Sequence, residues 1–316
     1  MRIRLPTSLF PRYHQATYDT RRPLPAGALA ELRHDNPRLL ELREKYANAP
    51  HAMGQRSLWD SSYLGRDLDL AHFRGDNVYV WQFRHLRSFG ALKYYVYLRH
   101  LGAMDRAQLL TRLTEDGLFG CWTFKFPGWP AVSRDLLDSI NEIYFLERHF
   151  GLLSTPGLRI LDVGAGYGRL AWRALEAARH LGAYVCADAV PESTFLCEYY
   201  LRFRGCNRAE VVPLHELERL RGRAFDVALN IHSFSEMSLH AIDAWAGLLA
   251  GLNVPALVVV PNDHDALLST EADGEHLPFA PVLARHGYTL VAKEPVVPPS
   301  LRRLTRMREH FFLFRR

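Results

Sequence analysis

The chain contains 316 residues, 48% of them hydrophobic, which is enough for one or two packed domains. Its four cysteines form no CxxC pair and no metal-ligand spacing with histidine; they are Cys121, Cys186, Cys197 and Cys206. The sequence has no run of about 18 uncharged apolar residues and no signal-type apolar segment near its basic N-terminus. We therefore expect a cytoplasmic protein with reduced thiols, without a disulfide scaffold, a zinc site or a membrane partner.

The positive charge of the chain is concentrated at one end. The formal net charge is +5, and the last 16 residues hold six arginines against one acid, Glu309. Such a charge run is usually a solvated surface, and the alternative is attraction to an anionic or phosphorylated substrate. No dedicated nucleic-acid-binding motif is present, so we expect no nucleic-acid partner.

The first 150 residues show mainly helical periodicity. The helical segments are 28–47, 91–102 and 105–117. The loops that separate or follow them are rich in aromatic residues, notably 57–65, 73–85 and 120–130. We predict that residues 1–150 form an α-rich N-terminal cap that selects the substrate. Pro156 and Gly157 interrupt the periodicity and indicate that a second domain spans residues 151–316.

From about residue 158 the pattern alternates between strands and helices. Apolar runs predict buried strands at 158–164, 183–189, 209–214, 224–233 and 254–263. Helical segments between them are 168–182, 192–205 and 239–252. Two more β-rich runs, 288–296 and 309–316, end the chain as a hairpin. The order predicts an α/β fold with a Rossmann-like sheet, five parallel-type strands closed by a C-terminal β-hairpin.

The glycine-rich segment "LDVGAGYG" distinguishes between nucleotide cofactors. It has the form DxGxGxG, made by Asp162, Gly164, Gly166 and Gly168, whereas the dinucleotide fingerprint GxGxxG would need its third glycine at Arg169. An acid at the strand end suits the cationic amine of a methionine group and would repel a pyrophosphate. The motif therefore favours S-adenosylmethionine over a nicotinamide cofactor.

A second acid supports this interpretation. Asp188 ends the next predicted strand, 20 positions after Gly168. A carboxylate at that position can accept hydrogen bonds from both hydroxyls of a ribose. The succession of strand, motif, helix, strand and acid predicts an S-adenosylmethionine site.

The segment "ILDVGAGYGRLAWR" resembles motif I of the class I methyltransferases. Together with "CADAVPESTFLCEYYL", "VVPLHELE", "LNIHSFSEMS", "VVVPN" and "HFFLFRR" it is similar to a family of sugar O-methyltransferases, and "FRGDNVYVWQ" and "VSRDLLDSINEIYFL" extend a looser similarity toward the N-terminus. The resemblance implies the class I methyltransferase fold and methyl transfer to a sugar hydroxyl. It also implies that the three glycines pass under the methionine part, that Asp188 holds the ribose, and that His215 borders the adenine.

The loop after the fourth predicted strand is the first place to look for acid–base residues, because ligands bind at the carboxyl ends of such strands. Many N-methyltransferases have Asn or Asp, two prolines and an aromatic residue at this place. Here Asn230 is followed by Ile231 and His232, without the prolines, which favours an oxygen acceptor. Asn230 is also predicted to contact the cofactor.

A hydroxyl group needs a base to remove its proton during methyl transfer. His232 is one candidate, and Glu236, four positions later, either orients it or is itself the base. The alternatives are that His232 merely lines the cofactor site and that Glu236 caps the following helix.

The next strand ends in "PNDHD", which supplies His264 as another candidate base. Asp263 and Asp265 could hold Mg²⁺, because oxygen ligands suit this ion, but two acids in a loop more often form a polar surface. We assign no metal ligand.

Side chains of the predicted cap are candidates for contacts with the acceptor. The aromatic ones are Trp59, Tyr63, Trp81, Tyr94, Trp122 and Trp129, and the polar ones are Arg74, Asp76, Asn77 and Gln82. Aromatic residues more often serve packing, and that alternative stays open for each of them.

The sequence thus predicts an S-adenosylmethionine-dependent O-methyltransferase with a carbohydrate substrate: an oligosaccharide, a glycoside or a nucleotide sugar. It is compatible with a homodimer. The rival functions are methylation of another small molecule or of an RNA 2′-hydroxyl, and cofactor binding by a scaffold without catalysis.

Overall fold

A computed structural model describes residues 17–19, 21, 23–48, 52–54, 59, 68–75, 90–262 and 265–316. The helices are α1 (Ala28–Glu31), α2 (Pro37–Asn48), α3 (Gly90–Met104), α4 (Leu109–Arg112), α5 (Arg134–Phe150), α6 (Arg169–Ala177), α7 (Pro191–Phe203), α8 (Leu239–Gly251), α9 (Ala280–Arg285) and α10 (Arg302–Thr305). The strands are β1 (Thr17–Asp19), β2 (Thr123–Lys125), β3 (Ala131–Val132), β4 (Arg159–Val163), β5 (Ala183–Asp188), β6 (Ala209–Pro213), β7 (Val227–His232), β8 (Ala256–Pro261), β9 (Thr289–Pro295) and β10 (His310–Arg315). Short 3₁₀ helices span Ala52–Gly54, Leu118–Gly120, Leu214–Leu220, Ser233–Glu236 and Pro299–Leu301.

The larger sheet has the strand order β6-β5-β4-β7-β8-β10-β9. Strands β4 to β8 are parallel, and Leu161 of β4 lies opposite Val185 of β5 and Ala228 of β7. Strand β10 runs antiparallel to both of its neighbours, β8 and β9. This is the Rossmann-like sheet of the class I methyltransferase fold with its C-terminal hairpin, so the predicted fold class is confirmed.

The central strands are almost wholly buried. All six residues of β8 are buried, and β4 is buried from Ile160 to Val163. A parallel sheet needs such continuous apolar runs, because the crossover helices of the chain cover its faces. Strand β9 is at the edge of the sheet, and Leu290 and Val291 there are exposed.

Of the three predicted helical segments of the N-terminal half, 91–102 is confirmed within α3, whereas the other two are shorter in the structure. The segment 28–47 is divided into α1 and α2, because Asn36 accepts a hydrogen bond from the backbone N–H of Arg38 (2.9 Å) and Pro37 begins α2. Of the segment 105–117 only α4 is α-helical. The small sheet β1-β2-β3 and the helix α9 were not predicted.

The chain divides into two compact units. The smaller unit comprises Met1–Arg33, Gly65–Tyr144 and Val297–Met307, and the larger one His34–Leu64, Phe145–Val296 and Arg308–Arg316. The two compact units follow other boundaries than the predicted cap (1–150) and core (151–316). The role of the first 150 residues in selecting the substrate stays a prediction. In the described parts of the chain, no helix has the length and apolar character that crossing a membrane requires.

The smaller unit contains a fully buried arginine. Arg74 Nη2 donates to both carboxylate oxygens of Glu115 (3.0 and 2.8 Å), and its Nε donates to Asp135 Oδ2 (3.2 Å). Ser133 Oγ also donates to Glu115. The expectation that Arg74 contacts a sugar hydroxyl is therefore wrong, because its guanidinium is enclosed by acids of its own unit.

Two predicted acceptor contacts of the same unit are packing residues. Tyr94 is 2% exposed and stacks on Phe124 with ring centroids 4.8 Å apart. The indole of Trp129 packs on Gly102 so closely that a Cβ at position 102 would lie 2.3 Å from the ring. Tyr63, Trp81, Asp76, Asn77 and Gln82 lie outside the described residues.

We expect Arg74→Met to lower the free energy of unfolding by about 3–5 kcal/mol, because the change leaves Glu115 and Asp135 buried without their cation. Urea denaturation followed by circular dichroism measures the loss. The control is Arg303→Met, at an exposed arginine of the same unit, where the change should stay within about 0.5 kcal/mol. Equal losses in the two variants would contradict a structural role for the buried cluster.

Candidate functional site

The topology places a cleft at the carboxyl ends of β4 and β7. These strands are neighbours, and from them the sheet extends through β5 and β6 on one side and through β8 on the other. Ligands of open α/β sheets bind where the strand order reverses in this way. The two loops at this position are the glycine loop (residues 164–168) and the β7 loop (residues 230–236).

The glycine loop has a left-handed backbone at each of its glycines. The φ angles of Gly164, Gly166 and Gly168 are 75°, 57° and 80°. Residues other than glycine rarely adopt such positive φ angles. The N–H groups of Gly164 and Ala165 both donate to the carbonyl of Ala187, at 2.8 and 3.4 Å. The end of β5 therefore fixes the first part of the loop.

The two loops touch at Gly164. A Cβ at this position would lie 1.9 Å from Ser233 Oγ. Asn230 Nδ2 donates to the carbonyl of Val163 (2.9 Å) and to Ser233 Oγ (2.7 Å), and Asn230 Oδ1 accepts from the N–H of Phe234 (2.8 Å). The buried amide of Asn230 thus joins the end of β4 to the β7 loop. Its predicted contact with a cofactor stays a prediction.

Two predicted acids lie buried at the ends of neighbouring strands. Asp188 accepts hydrogen bonds from the N–H groups of Gly166 (3.0 Å) and Val190 (2.8 Å). Burial raises the pKa of Asp188 to about 7, to which the negative charges of Asp162 and Glu236 contribute. Burial likewise raises the pKa of Asp162 to about 6, although this carboxyl accepts a hydrogen bond from the hydroxyl of Tyr184 (2.8 Å). The three acids Asp162, Asp188 and Glu236, here called the acidic cluster, therefore belong to one region of the larger unit.

Glu236 is held by two neutral donors. Its Oε2 accepts from Trp59 Nε1 (2.7 Å), and its Oε1 accepts from Asn262 Nδ2, at the end of β8. Burial raises the pKa of Glu236, and both hydrogen bonds oppose that shift. The alternative that Glu236 caps α8 is wrong, because Ser238 is the N-cap and accepts from the N–H of Ala241 (3.3 Å).

His232 ends β7 in an unusual backbone conformation. Its φ of 72° and ψ of −36° are rare for a residue with a side chain, and such strain often occurs at functional sites. It immediately precedes the 3₁₀ helix that ends with Glu236. The structure thus brings two predicted acid–base residues into the β7 loop. The third, His264, lies outside the described residues.

His215 lies two residues after β6, in the 3₁₀ helix Leu214–Leu220. Among the described residues its buried Nδ1 has no hydrogen-bond partner, and burial lowers the pKa of the imidazole. The edge of the ring faces Tyr46, with centroids 5.9 Å apart. His215 can therefore still accept or donate one hydrogen bond through this atom.

Tyr46 links the segment that contains His215 to the end of β5 at Asp188. The sequence pattern did not identify Tyr46 as a residue of the site. Its hydroxyl accepts from the N–H of Leu214 (2.9 Å), contacts Thr194 Oγ1 (2.7 Å) and donates to the carbonyl of Asp188 (3.3 Å). These partners lie 142 to 168 positions away along the chain. The amphipathic pattern of α2 identifies Tyr46 as an inward residue but gives no signal for its partners.

Two ion pairs hold α2 on α7. Arg38 binds Glu198 through two hydrogen bonds (3.0 and 2.6 Å), and Arg43 Nε donates to Glu192 (2.9 Å). Glu192 is almost fully buried. Residues that were predicted to belong to a separate cap therefore form part of the unit that carries the glycine loop.

No metal site is found among the described residues, which contain no group of three or more His, Cys, Asp or Glu side chains able to hold an ion. Asp265 is exposed, and Asp263, the other predicted ligand of Mg²⁺, lies outside those residues.

No family model and no curated protein matches the chain. Its fold is similar to that of magnesium protoporphyrin IX methyltransferase (ChlM) from Synechocystis PCC 6803, solved with bound SAM, at 14% identity over 71% of this chain and 97% of that one, with a TM-score of 0.41. It is also similar to the mitomycin 7-O-methyltransferase MmcR (17% identity, 57% and 52% of the chains, TM-score 0.43) and to the cyclase SpnF (16%, 71% and 93%, TM-score 0.41). The fold assignment depends on the strand order and register described above and not on these likenesses.

We expect Gly164→Ala to destabilise the protein more than the backbone conformation alone explains. Gly222 is the matched control, because its φ is 74° and a Cβ there meets nothing within 4 Å. Gly222→Ala should cost about 1–2 kcal/mol, and Gly164→Ala about 1–3 kcal/mol more, because the new methyl group overlaps Ser233. Chemical denaturation measures both losses. The extra cost should shrink when Ser233 is replaced by glycine, and equal losses in the two single variants would refute the close contact between the loops.

Proposed function

We propose that the protein is an S-adenosylmethionine-dependent O-methyltransferase that acts on a sugar hydroxyl. The observation that carries the proposal is the acidic cluster beside the glycine loop. A cationic ligand would stabilise these three desolvated carboxyl groups, because a nearby positive charge favours their ionised form. A sulfonium ion and an ammonium group, both present in S-adenosylmethionine, are such charges.

The hydrogen bonds of the glycine loop argue against a dinucleotide. In dinucleotide folds the N–H groups of this loop and of the helix that follows bind the pyrophosphate. Here Gly164 and Ala165 donate to the carbonyl of Ala187, and Gly166 donates to Asp188. A pyrophosphate would find these N–H groups occupied and a carboxylate beside them.

The residues at these strand ends match the successive parts of S-adenosylmethionine: its adenine, its ribose and its methionine group. We infer that Asp188 accepts hydrogen bonds from the ribose hydroxyls and that the unsatisfied Nδ1 of His215 faces the adenine side. The glycine loop would pass under the methionine part, and Asp162 would supply negative charge there. When bound, the cofactor supplies an electrophilic methyl carbon with a sulfur leaving group.

Glu236 is the base that the geometry favours. A hydroxyl acceptor must lose its proton as its oxygen bonds to carbon. Burial raises the pKa of this carboxyl toward the range in which it can take up a proton near neutral pH, while Trp59 and Asn262 hold both of its oxygens in place. His232, at the strained end of β7, is the second candidate.

The sugar as acceptor is the more specific part of the proposal. It is supported by the resemblance to sugar O-methyltransferases and by an indole and an amide placed beside the candidate base, side chains that suit apolar sugar faces and hydroxyl groups. We further propose that the protein acts in the cytoplasm, on an oligosaccharide, a glycoside or a nucleotide sugar.

The test of the proposal is calorimetric titration with S-adenosylhomocysteine, with NAD as the parallel ligand. Micromolar binding of the first ligand alone supports the cofactor assignment, and binding of neither or of NAD refutes it. Transfer of a labelled methyl group to sugar acceptors is then compared with transfer to RNA, with magnesium and with EDTA. Labelling of RNA alone would replace the sugar by a 2′-hydroxyl, and cofactor binding without any transfer would indicate a scaffold.

We expect the affinity for S-adenosylhomocysteine to fall as the pH is lowered from 8 to 6. The free protein carries a proton on Asp188 below about pH 7, whereas ribose hydroxyls donate to the ionised carboxylate, so binding must release that proton. The dissociation constant should rise about tenfold over this range. Calorimetry at several pH values measures it. In Asp188→Asn the binding should be weaker and its dependence on pH much smaller, and a flat wild-type profile would contradict the role of Asp188.

We expect Glu236→Gln to lower kcat by about 10²–10⁴-fold, because glutamine keeps the size of the side chain but cannot take up the proton. The affinity for S-adenosylhomocysteine, measured on the same preparation, should change little. His232→Ala serves as the comparison, and a smaller loss of kcat is expected there. A larger loss in His232→Ala, with near-normal turnover in Glu236→Gln, would transfer the role of the base to His232.

A further inference from the structure

We propose that Trp59 is a positioning residue for the methyl-transfer reaction: its indole N–H holds the carboxylate of Glu236 in the ionised state and in a fixed orientation. This inference rests on the proposed function. It assigns a role in the chemistry to the segment His34–Leu64 of the larger unit, in which Trp59 lies about 100 residues ahead of the glycine loop.

The contacts of Glu236 place this carboxylate between two parts of the larger unit. Trp59 Nε1 donates to Oε2 at 2.7 Å, and the amide of Asn262 donates to Oε1. The backbone of Asn262 is itself fixed, because its N–H donates to Ser235 Oγ (3.2 Å). Each carboxylate oxygen thus accepts a hydrogen bond from a neutral donor.

The charges around this carboxyl make the two neutral donors important. The charge of Glu236 contributes to the raised pKa of Asp188 at the end of β5, so these two acids lie near each other, and His232 belongs to the same loop as Glu236. Desolvation raises the pKa of Glu236, and the negative charge of Asp188 also favours the protonated form, which could not act as a base. The hydrogen bonds from Trp59 and Asn262 stabilise the ionised form instead.

Of the two donors to Glu236, Trp59 can be replaced with less disturbance of the fold than Asn262. Asn262 follows β8 directly, so that a change there would disturb the end of a central strand. Trp59 is half-buried and reaches Glu236 through one ring N–H. Trp59→Phe removes that donor while it retains an aromatic ring, so the hydrogen bond can be separated from the packing.

The experiment compares the pH dependence of kcat in the wild type, in Trp59→Phe and in the control Trp172→Phe, whose ring lies on α6 beside Arg204. We expect the acidic limb of the profile to move up by about one pH unit in Trp59→Phe, because loss of a donor to the carboxylate raises its pKa. The control should keep the wild-type midpoint. An unchanged midpoint in Trp59→Phe, whether kcat is normal or lowered at every pH, would overturn the proposal.

A second measurement separates this proposal from the proposed function. The carboxyl of Glu236 is titrated by NMR in the full-length protein labelled with ¹³C-glutamate, and Glu236→Gln identifies its signal. A higher midpoint in Trp59→Phe supports the inference even if no acceptor is ever methylated, and an equal midpoint refutes it even if turnover is found. If Trp59→Phe does not fold, benzothienylalanine at position 59 replaces the indole N–H by sulfur in a ring of nearly the same shape, and the same two outcomes decide.

Discussion

The amide of Asn230 is the interaction on which the proposed site depends most. It donates to the end of β4 and to Ser233, and it accepts from Phe234, so one side chain fixes the glycine loop and the β7 loop against each other. The glycine loop in turn places the N–H of Gly166 on Asp188. The hydrogen bonds of Asn230 thus position the strained backbone of His232 and the helical turn that carries Glu236 against the glycine loop.

The arrangement has an electrostatic consequence. The larger unit concentrates acids where the strand ends meet and stabilises them with neutral donors: backbone N–H groups at Asp188, a tyrosine hydroxyl at Asp162, and an indole and an amide at Glu236. Neutral donors stabilise a charge without cancelling it. Where these carboxyl groups are ionised, the proposed site would favour positively charged ligands.

The sequence predicts the strands of the larger sheet well and the site only in part. Continuous apolar runs and the DxGxGxG spacing are local signals, so β4 to β10 and the positions of Asp162, Asp188 and Glu236 could be read from them. The partners of Glu236 and Asp188 could not, because Trp59 and Tyr46 reach them through hydrogen bonds over 142 to 177 positions, and such contacts leave no periodic pattern. Arg74 was misinterpreted for the same reason, since the acids that enclose it, Glu115 and Asp135, follow 41 and 61 positions later.

The distance along the chain between Trp59 and Glu236 bears on how the protein is made. During synthesis at about 5–20 residues per second, Trp59 emerges roughly 10–35 s before its partner. Strand β10, which lies between β8 and β9, is added later still. The nascent chain must therefore keep α2 and Trp59 without their partners on α7 and in the β7 loop until those segments have been translated. Variants that weaken the contacts of Tyr46 or Trp59 would therefore alter the yield of folded protein as well as its activity.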